Sequence, residues 1–365
     1  MAQSRIRAVY MRGGTSRCLA FHDRDLPPAG PARDRILLSA LGSPDSYGRQ
    51  LDGLGGGISS LSKAFVIGPP THPDAQVDYT FAQVEVGRPV VDYTGNCGNC
   101  SSAVGPFAID ERLVPFADGE TAVSIHNTNT RKIIVAHVPV ADGEAAVVGD
   151  FELPGVAGLG ARIALDFLDP GGARTGRLLP TGRPRDLIAG VEASLVDATN
   201  PMVFVRAKDL GLAGTETPAA MDGDPALVAR LEAIRVAAAE AMDIPGSAAT
   251  PKVAVVAPPA RFTALDGAAY EAEQTDVIAR IISMGNAHRA FALTGAMCLA
   301  VAAQIDSTVV AECAGGRVGD LRLGHPSGVL PIAASVSRRD GQAWAERVTV
   351  YRTARRLMEG YVRVA

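Results

Sequence analysis

Three stretches of this chain place reactive side chains where a folded element could hold them. The first is Gly95-Asn96-Cys97-Gly98-Asn99-Cys100-Ser101-Ser102, a thiol crowded by carboxamides and hydroxyls just ahead of the apolar run Asn99 to Ile109. If that run is a helix, its first turn offers free N–H donors and about half a positive charge, a ready site for a carboxylate or phosphate. A cysteine there has its pKa lowered and can act as thiolate or as general acid and base. The plainer reading is a small buried hydrophobe in a glycine turn. The second stretch centres on Lys63, alone between Ser62 and the apolar Ala64-Phe-Val-Ile67. Buried among apolar groups, an amine loses its preference for the charged form and becomes a usable base near neutral pH. A lysine snorkelling from a strand edge fits the pattern equally well. The third is Ser283-Met284-Gly285-Asn286-Ala287-His288-Arg289 together with the turn Gly324-His325-Pro326-Ser327-Gly328. Either histidine alone reads as a hydrogen-bonded turn residue, but with Arg289 they make a second cluster of anion donors. A small, multiply charged acid is the ligand such clusters suit.

Other readings of these residues are weaker. Cys97-Gly-Asn-Cys100 has the form C-x-x-C, but no second ligand pair stands at zinc spacing, and a redox motif belongs after the first strand of a βαβ unit. Arg12-Gly-Gly-Thr-Ser16 and Gln50-Leu-Asp-Gly-Leu-Gly-Gly-Gly57 have neither P-loop spacing nor the dinucleotide fingerprint.

The elements that must position these groups follow from composition and period. With 365 residues, 47% hydrophobic and 20% charged, the chain is sized for about two domains with real cores. Strand patterns recur at Arg5 to Met11, Ser62 to Ile67, Val77 to Val86, Val123 to Ile125, Lys132 to Pro139, Ala161 to Phe167 and Ala193 to Asp197, most with alternating polarity. Asn99 to Ile109 and Arg289 to Ile305 are apolar all round, as a helix enclosed on every side must be. Ala226 to Met242 carries the stripe Leu227, Leu231, Ile234, Ala238 of a surface helix. Each half thus holds several strands and one enclosed helix. The Pro180 to Pro184 region marks a boundary near mid-chain, giving domains 1–187, joined by the C-terminal segment 348–365, and 188–347. A net charge of −4 without basic runs excludes a nucleic-acid or anionic-membrane partner, and the best apolar run, Ala290 to Ile305, is too short to span a bilayer. Five cysteines, an odd and sparse set, point to reduced thiols, and the N-terminus reads as neither signal nor transit peptide, so a cytoplasmic protein is expected.

Taken in order, Met11-Arg-Gly-Gly-Thr-Ser16, Gly42-Ser-Pro-Asp45, Arg49-Gln-Leu-Asp-Gly-Leu-Gly-Gly56, Ser62-Lys63, Val77-Asp-Tyr79, Gly95-Asn-Cys-Gly-Asn99, Val104-Gly-Pro-Phe-Ala108, Ser283-Met-Gly285, Gly324-His-Pro-Ser-Gly328 and Arg352-Thr-Ala-Arg355 resemble the PrpF family nearly end to end. These are isomerases of methylaconitate, methylitaconate and 4-oxalomesaconate. The resemblance implies an α+β fold of two diaminopimelate-epimerase-like domains, each a mixed, strongly curved sheet around a buried apolar helix, with the active site in the cleft between them. It implies Lys63 and Cys97 as the proton-transfer pair. For the carboxylates it implies Ser16, Asn96, Gly98, Asn99, Met284, Gly285, Ser327 and Gly328, beside the donors His288 and Arg289 read above. Family members described as accessory to an aconitase-like dehydratase raise such a partner as a further expectation, and a homodimer stays open.

Departures from the family pattern bear on the chemistry. The chain has Ser16-Arg17 where many members read Ser-Lys, Leu61-Ser62-Lys63 for Thr-Ser-Lys, and Cys100-Ser-Ser where oxalomesaconate-type members have Ile-Leu-Ala-Gly. This favours methylaconitate or another small tricarboxylate over 4-oxalomesaconate. The related epimerases use a second cysteine at the start of the C-terminal enclosed helix, and aligned through Ala292-Leu293-Thr294-Gly295-Ala296 that position is Leu293. A two-base racemase needs an acid or base on both faces of one carbon. A 1,3-allylic shift works from one face, with Lys63 as base and Cys97 as acid or orienter, and requires no metal, flavin or nicotinamide.

Overall fold

The computed structural model describes residues 3–246, 250–283, 285–316 and 319–365. Its helices are α1 (Pro31–Leu41), α2 (Gly98–Asp110), α3 (Pro218–Asp222), α4 (Pro225–Ala241), α5 (Leu293–Ala303) and α6 (Val309–Cys313). The chain forms two compact units, Met1–Phe167 with Tyr351–Ala365, and Leu168–Val350.

In the first unit a mixed sheet runs in the order Ala354–Val364, Ser4–Gly13, Ser16–His22, Lys63–Gly68, Val77–Val84, Gly119–Asn127, Lys132–Ala141 and Ile163–Leu168. Two neighbour pairs are parallel, Ser16–His22 with Lys63–Gly68 and Val77–Val84 with Gly119–Asn127. Helix α2 touches strands across this sheet, from Ala354–Val364 at one end through Val77–Val84 to Lys132–Ala141, so the sheet wraps around it. Every residue from Cys100 to Ile109 is buried, and small residues make that possible. At Gly105 a Cβ would stand 2.7 Å from Val138 Cγ2 and 3.0 Å from Ala136 Cβ, closer than side chains pack.

The second unit repeats the arrangement. Its sheet runs Asp186–Ile188, Val191–Ala198, Asn200–Arg206, Lys252–Ala257, Val277–Ser283, Leu321–His325, Gly328–Arg339 and Gln342–Arg352. Helix α5, buried from Gly295 to Ala303, packs on strands of that sheet. Surface helix α4 buries Leu227, Leu231, Ile234 and Ala238, the stripe read from its sequence, and Asp224 caps it by accepting from the Ala226 and Leu227 amides.

The units divide at Phe167 and Leu168, about twenty residues before the expected 187/188 boundary, and again at Val350 and Tyr351 rather than 347/348. The Pro- and Gly-rich residues that read as a linker are tied down. Asp197 accepts from the Arg174 and Thr175 amides and the Thr175 hydroxyl, and Asp186 begins the pairing with Ala193. Among the described residues no helix is long and apolar enough to cross a membrane.

Candidate active site

In the first unit the site grows from the head of α2. Cys97 is the N-cap in extended backbone, buried, its Sγ accepting from the Cys100 amide at 3.5 Å. Lys63 opens its strand, and its Nζ lies 3.4 Å from Cys97 Sγ and 5.3 Å from the centre of the Phe81 ring. The strand's first position lets the stem run along apolar neighbours while the amine meets the helix start.

That placement is supported from behind. Gln50, almost fully buried, donates Nε2 to Ser62 Oγ at 2.6 Å and to Ser43 Oγ at 2.8 Å, and its Oε1 accepts from the Gly57 amide. Ser62 Oγ in turn donates to the Val84 carbonyl. The Gly42-Ser-Pro-Asp45 and glycine-rich motifs thus converge on the residue preceding Lys63. The bare backbone is required there: a Cβ at Gly55 would sit 2.2 Å from Gln50 Oε1.

The remaining first-unit candidates surround the helix start. Gly98 is its first residue. Asn96 Oδ1 accepts from Ser101 Oγ at 3.2 Å, and Ser16 is buried at the start of its strand. Asn99 Nδ2 donates to Thr15 Oγ1 at 3.1 Å, while Asn99 Oδ1 accepts from Arg352 Nε at 3.0 Å.

The electrostatics depart from one expectation. The Cys97 thiol is pushed well above its ordinary value, not lowered: the hydrogen bond and proximity of the Cys100 thiol, with burial, outweigh the Lys63 amine. The N-terminal field of the helix acts on a sulfur too enclosed to ionise easily. The Lys63 ammonium is held above its usual value, burial drawing it down while the sulfurs of Cys97 and Cys100 draw it up. The upward pull exists only while a sulfur is negative. With Cys97 a thiol, burial alone acts on Lys63 and favours the free amine.

In the second unit α5 begins differently. Its N-cap is Ala292, without a side-chain cap, and Leu293 is its first residue. Cys298 lies deep inside, donating to the Val196 carbonyl. His288, Arg289 and Gly285 are exposed. Ser327 Oγ donates to the Arg289 carbonyl, and Gly328 adopts φ +128° where a Cβ would reach 3.1 Å from the Tyr270 hydroxyl. Both histidines serve turns, His288 Nδ1 accepting from the Ala290 amide and His325 Nδ1 from the Ser327 amide. Met284 lies outside the described residues.

Sequence reading assigned no role to Gln50, Thr15 or Arg352, although all three stand in matched motifs. For Gln50 the flanking glycines were the available signal. For Arg352 nothing local distinguishes a buried arginine from an exposed one at a strand end.

The comparisons show that this chain is an isomerase. A 3-methylitaconate isomerase from Eubacterium barkeri is 43% identical over 377 residues, covering 99% of this chain and 98% of that one. A 2-methyl-aconitate isomerase from Shewanella oneidensis is 39% identical over 386 residues, covering 99% and 97%. The crystal structure of a methylitaconate-delta-isomerase superposes with a TM-score of 0.93 at 42% identity, covering 100% of this chain and 96% of that one. The family model described as PrpF protein matches residues 3–365, and the chain belongs to the PrpF family.

Proposed function

We propose that this isomerase catalyses a 1,3-allylic proton shift on an unsaturated di- or tricarboxylate such as 2-methylaconitate. The observation that carries the reading is the 3.4 Å contact between Lys63 Nζ and Cys97 Sγ at the head of α2. The free amine of Lys63 removes a proton from the carbon γ to a carboxylate. The C–H electrons form the new double bond, and the old π pair moves toward the carboxylate as a dienolate. The α carbon then takes a proton, from the Cys97 thiol or back from the Lys63 ammonium, and no proton is gained or lost overall. A thiol held protonated suits either donation or orientation. Ser16, Asn96, Gly98 and Asn99 hold carboxylate oxygens in the first unit and stabilise the charge that develops. In the second unit Gly285, His288, Arg289, Ser327 and Gly328, with Met284, are assigned anion binding. The names of the relatives from Eubacterium barkeri and Shewanella oneidensis support the substrate class.

The test incubates the chain with 2-methyl-trans-aconitate, methylitaconate, trans-aconitate and 4-oxalomesaconate in deuterium oxide, following enoate absorbance and label uptake. Turnover of the first is expected, and Lys63→Met should lower it about 10³- to 10⁴-fold. A variant at the wild-type rate overturns the base assignment. Exclusive turnover of 4-oxalomesaconate makes the enzyme its tautomerase.

A further inference from the structure

The head of α2 holds a second cation that the proton-transfer chemistry does not use. Arg352 is 5% exposed, yet among the described residues it has no carboxylate partner. Its guanidinium donates Nε to Asn99 Oδ1 at 3.0 Å and Nη1 to the Tyr351 carbonyl at 2.7 Å. Of five N–H donors, three are left over. A buried charge without a partner is costly, and enclosure lowers the Arg352 pKa to about 10. The surroundings are built to admit it. A Cβ at Gly14 would meet Asn99 Oδ1 at 2.3 Å and Arg352 Cδ at 3.1 Å, so only a glycine lets the three meet. Asn99, held by Thr15 on its other side, points its carbonyl at the guanidinium and so orients it. The Cys97 sulfur lies within electrostatic reach.

We propose that Arg352 is a substrate-binding residue, its free guanidinium edge taking one carboxylate of the substrate beside the Lys63 and Cys97 pair. This rests on the isomerase reading and deepens it: the substrate class becomes acids whose extra carboxylate completes an ion pair with Arg352. A planar fork suits a carboxylate and lysine does not replace it.

The experiment measures binding by calorimetry, with no turnover required, so its failure is separate from failure of the proton-shift mechanism. Full-length wild type and Arg352→Gln are titrated with trans-aconitate and with each of its three monoamides, which replace one carboxylate by a neutral isostere. Wild type should lose about a hundredfold in affinity for one monoamide relative to the triacid, and Arg352→Gln should bind that pair equally. Unequal binding, with the wild-type ratio kept, makes Arg352 structural and overturns the proposal, as does a wild type that binds none of the four. If Arg352→Gln lowers the thermal midpoint sharply, Arg352→Lys replaces it. Lysine keeps the charge without the fork, so the same monoamide penalty should fall to about tenfold, and an unchanged penalty overturns the proposal.

Discussion

The two helix starts are built alike and equipped differently. Both α2 and α5 are apolar on all sides, enclosed by a curved sheet in their own unit, and preceded by residues rich in glycine and asparagine. At α2 the cap is a thiol that accepts from a backbone amide and touches an amine. At α5 the cap is alanine and the next residue leucine; nearby, the Ser327 hydroxyl donates to the Arg289 carbonyl and His288 Nδ1 accepts the Ala290 amide. The difference teaches that the fold repeats the enclosed helix, while a thiol and an amine meet at the start of only one. One such pair is what the proposed allylic shift needs, and two-sided racemisation would need a second.

The strongest way to sharpen this contrast is through acid stability of the second unit. His325 is buried and its pKa is lowered to about 4 by burial and by the nearby Arg280 and His288. Because the folded value lies below the unfolded one of about 6.5, the unfolded chain takes up protons first as pH falls. Stability should therefore be full above pH 6.5 and decline toward pH 4 by about 3 kcal/mol. Denaturant unfolding at several pH values checks this. In His325→Gln the decline should shrink by that amount, and an unchanged slope removes His325 from the account.

A smaller effect is expected at the first helix. Cys97→Ser should retain about one hundredth of the activity or more. With Cys97 a thiol in the wild type, burial already sets the Lys63 amine, and serine leaves that burial in place. The rising limb of the kcat/KM profile, set by the Lys63 amine, should therefore stay at its wild-type position. A limb displaced toward acid would show that a charged Cys97 sulfur holds the ammonium up in the wild type and overturns the protonated-thiol account.

The mildest test equalises the two ends. In Leu293→Cys the introduced thiol would stand in the first turn of α5, less enclosed than Cys97 and without a thiol like Cys100 beside it. Its alkylation by iodoacetamide at pH 7 should outpace that of Cys97 by about tenfold, as a helix N-terminus lowers a thiol pKa when burial does not oppose it. Equal rates would show that position, rather than enclosure, sets the thiol.

Much of this architecture was legible in the residues. The run Asn99 to Ile109 marked α2 to within a residue at each end, and the stripe in Ala226 to Met242 marked α4. The second enclosed helix begins at Leu293 rather than Arg289, because the His288 ring accepts the Ala290 amide and keeps that stretch a turn. Helix α1 was missed, since the first buried position of its stripe Arg33, Leu37, Ala40, Leu41 is an arginine, which leaves an apolar signal barely one turn long. The strands Asn200–Arg206 and Lys252–Ala257 were missed for a related reason: their interiors are buried on both faces, so alternation disappears.

By themselves the residues determined the two-fold plan, the enclosed helices and the small set of side chains able to do chemistry, because period and residue type are properties of the chain. Only the tertiary structure decided which of them meet and in what state. Lys63 and Cys97 stand 34 positions apart, and Arg352 another 255 beyond Cys97, yet all three gather at one helix start. Their charges depend on neighbours and on enclosure, and the Cys100 hydrogen bond together with burial reversed the shift that position in the sequence suggested for Cys97.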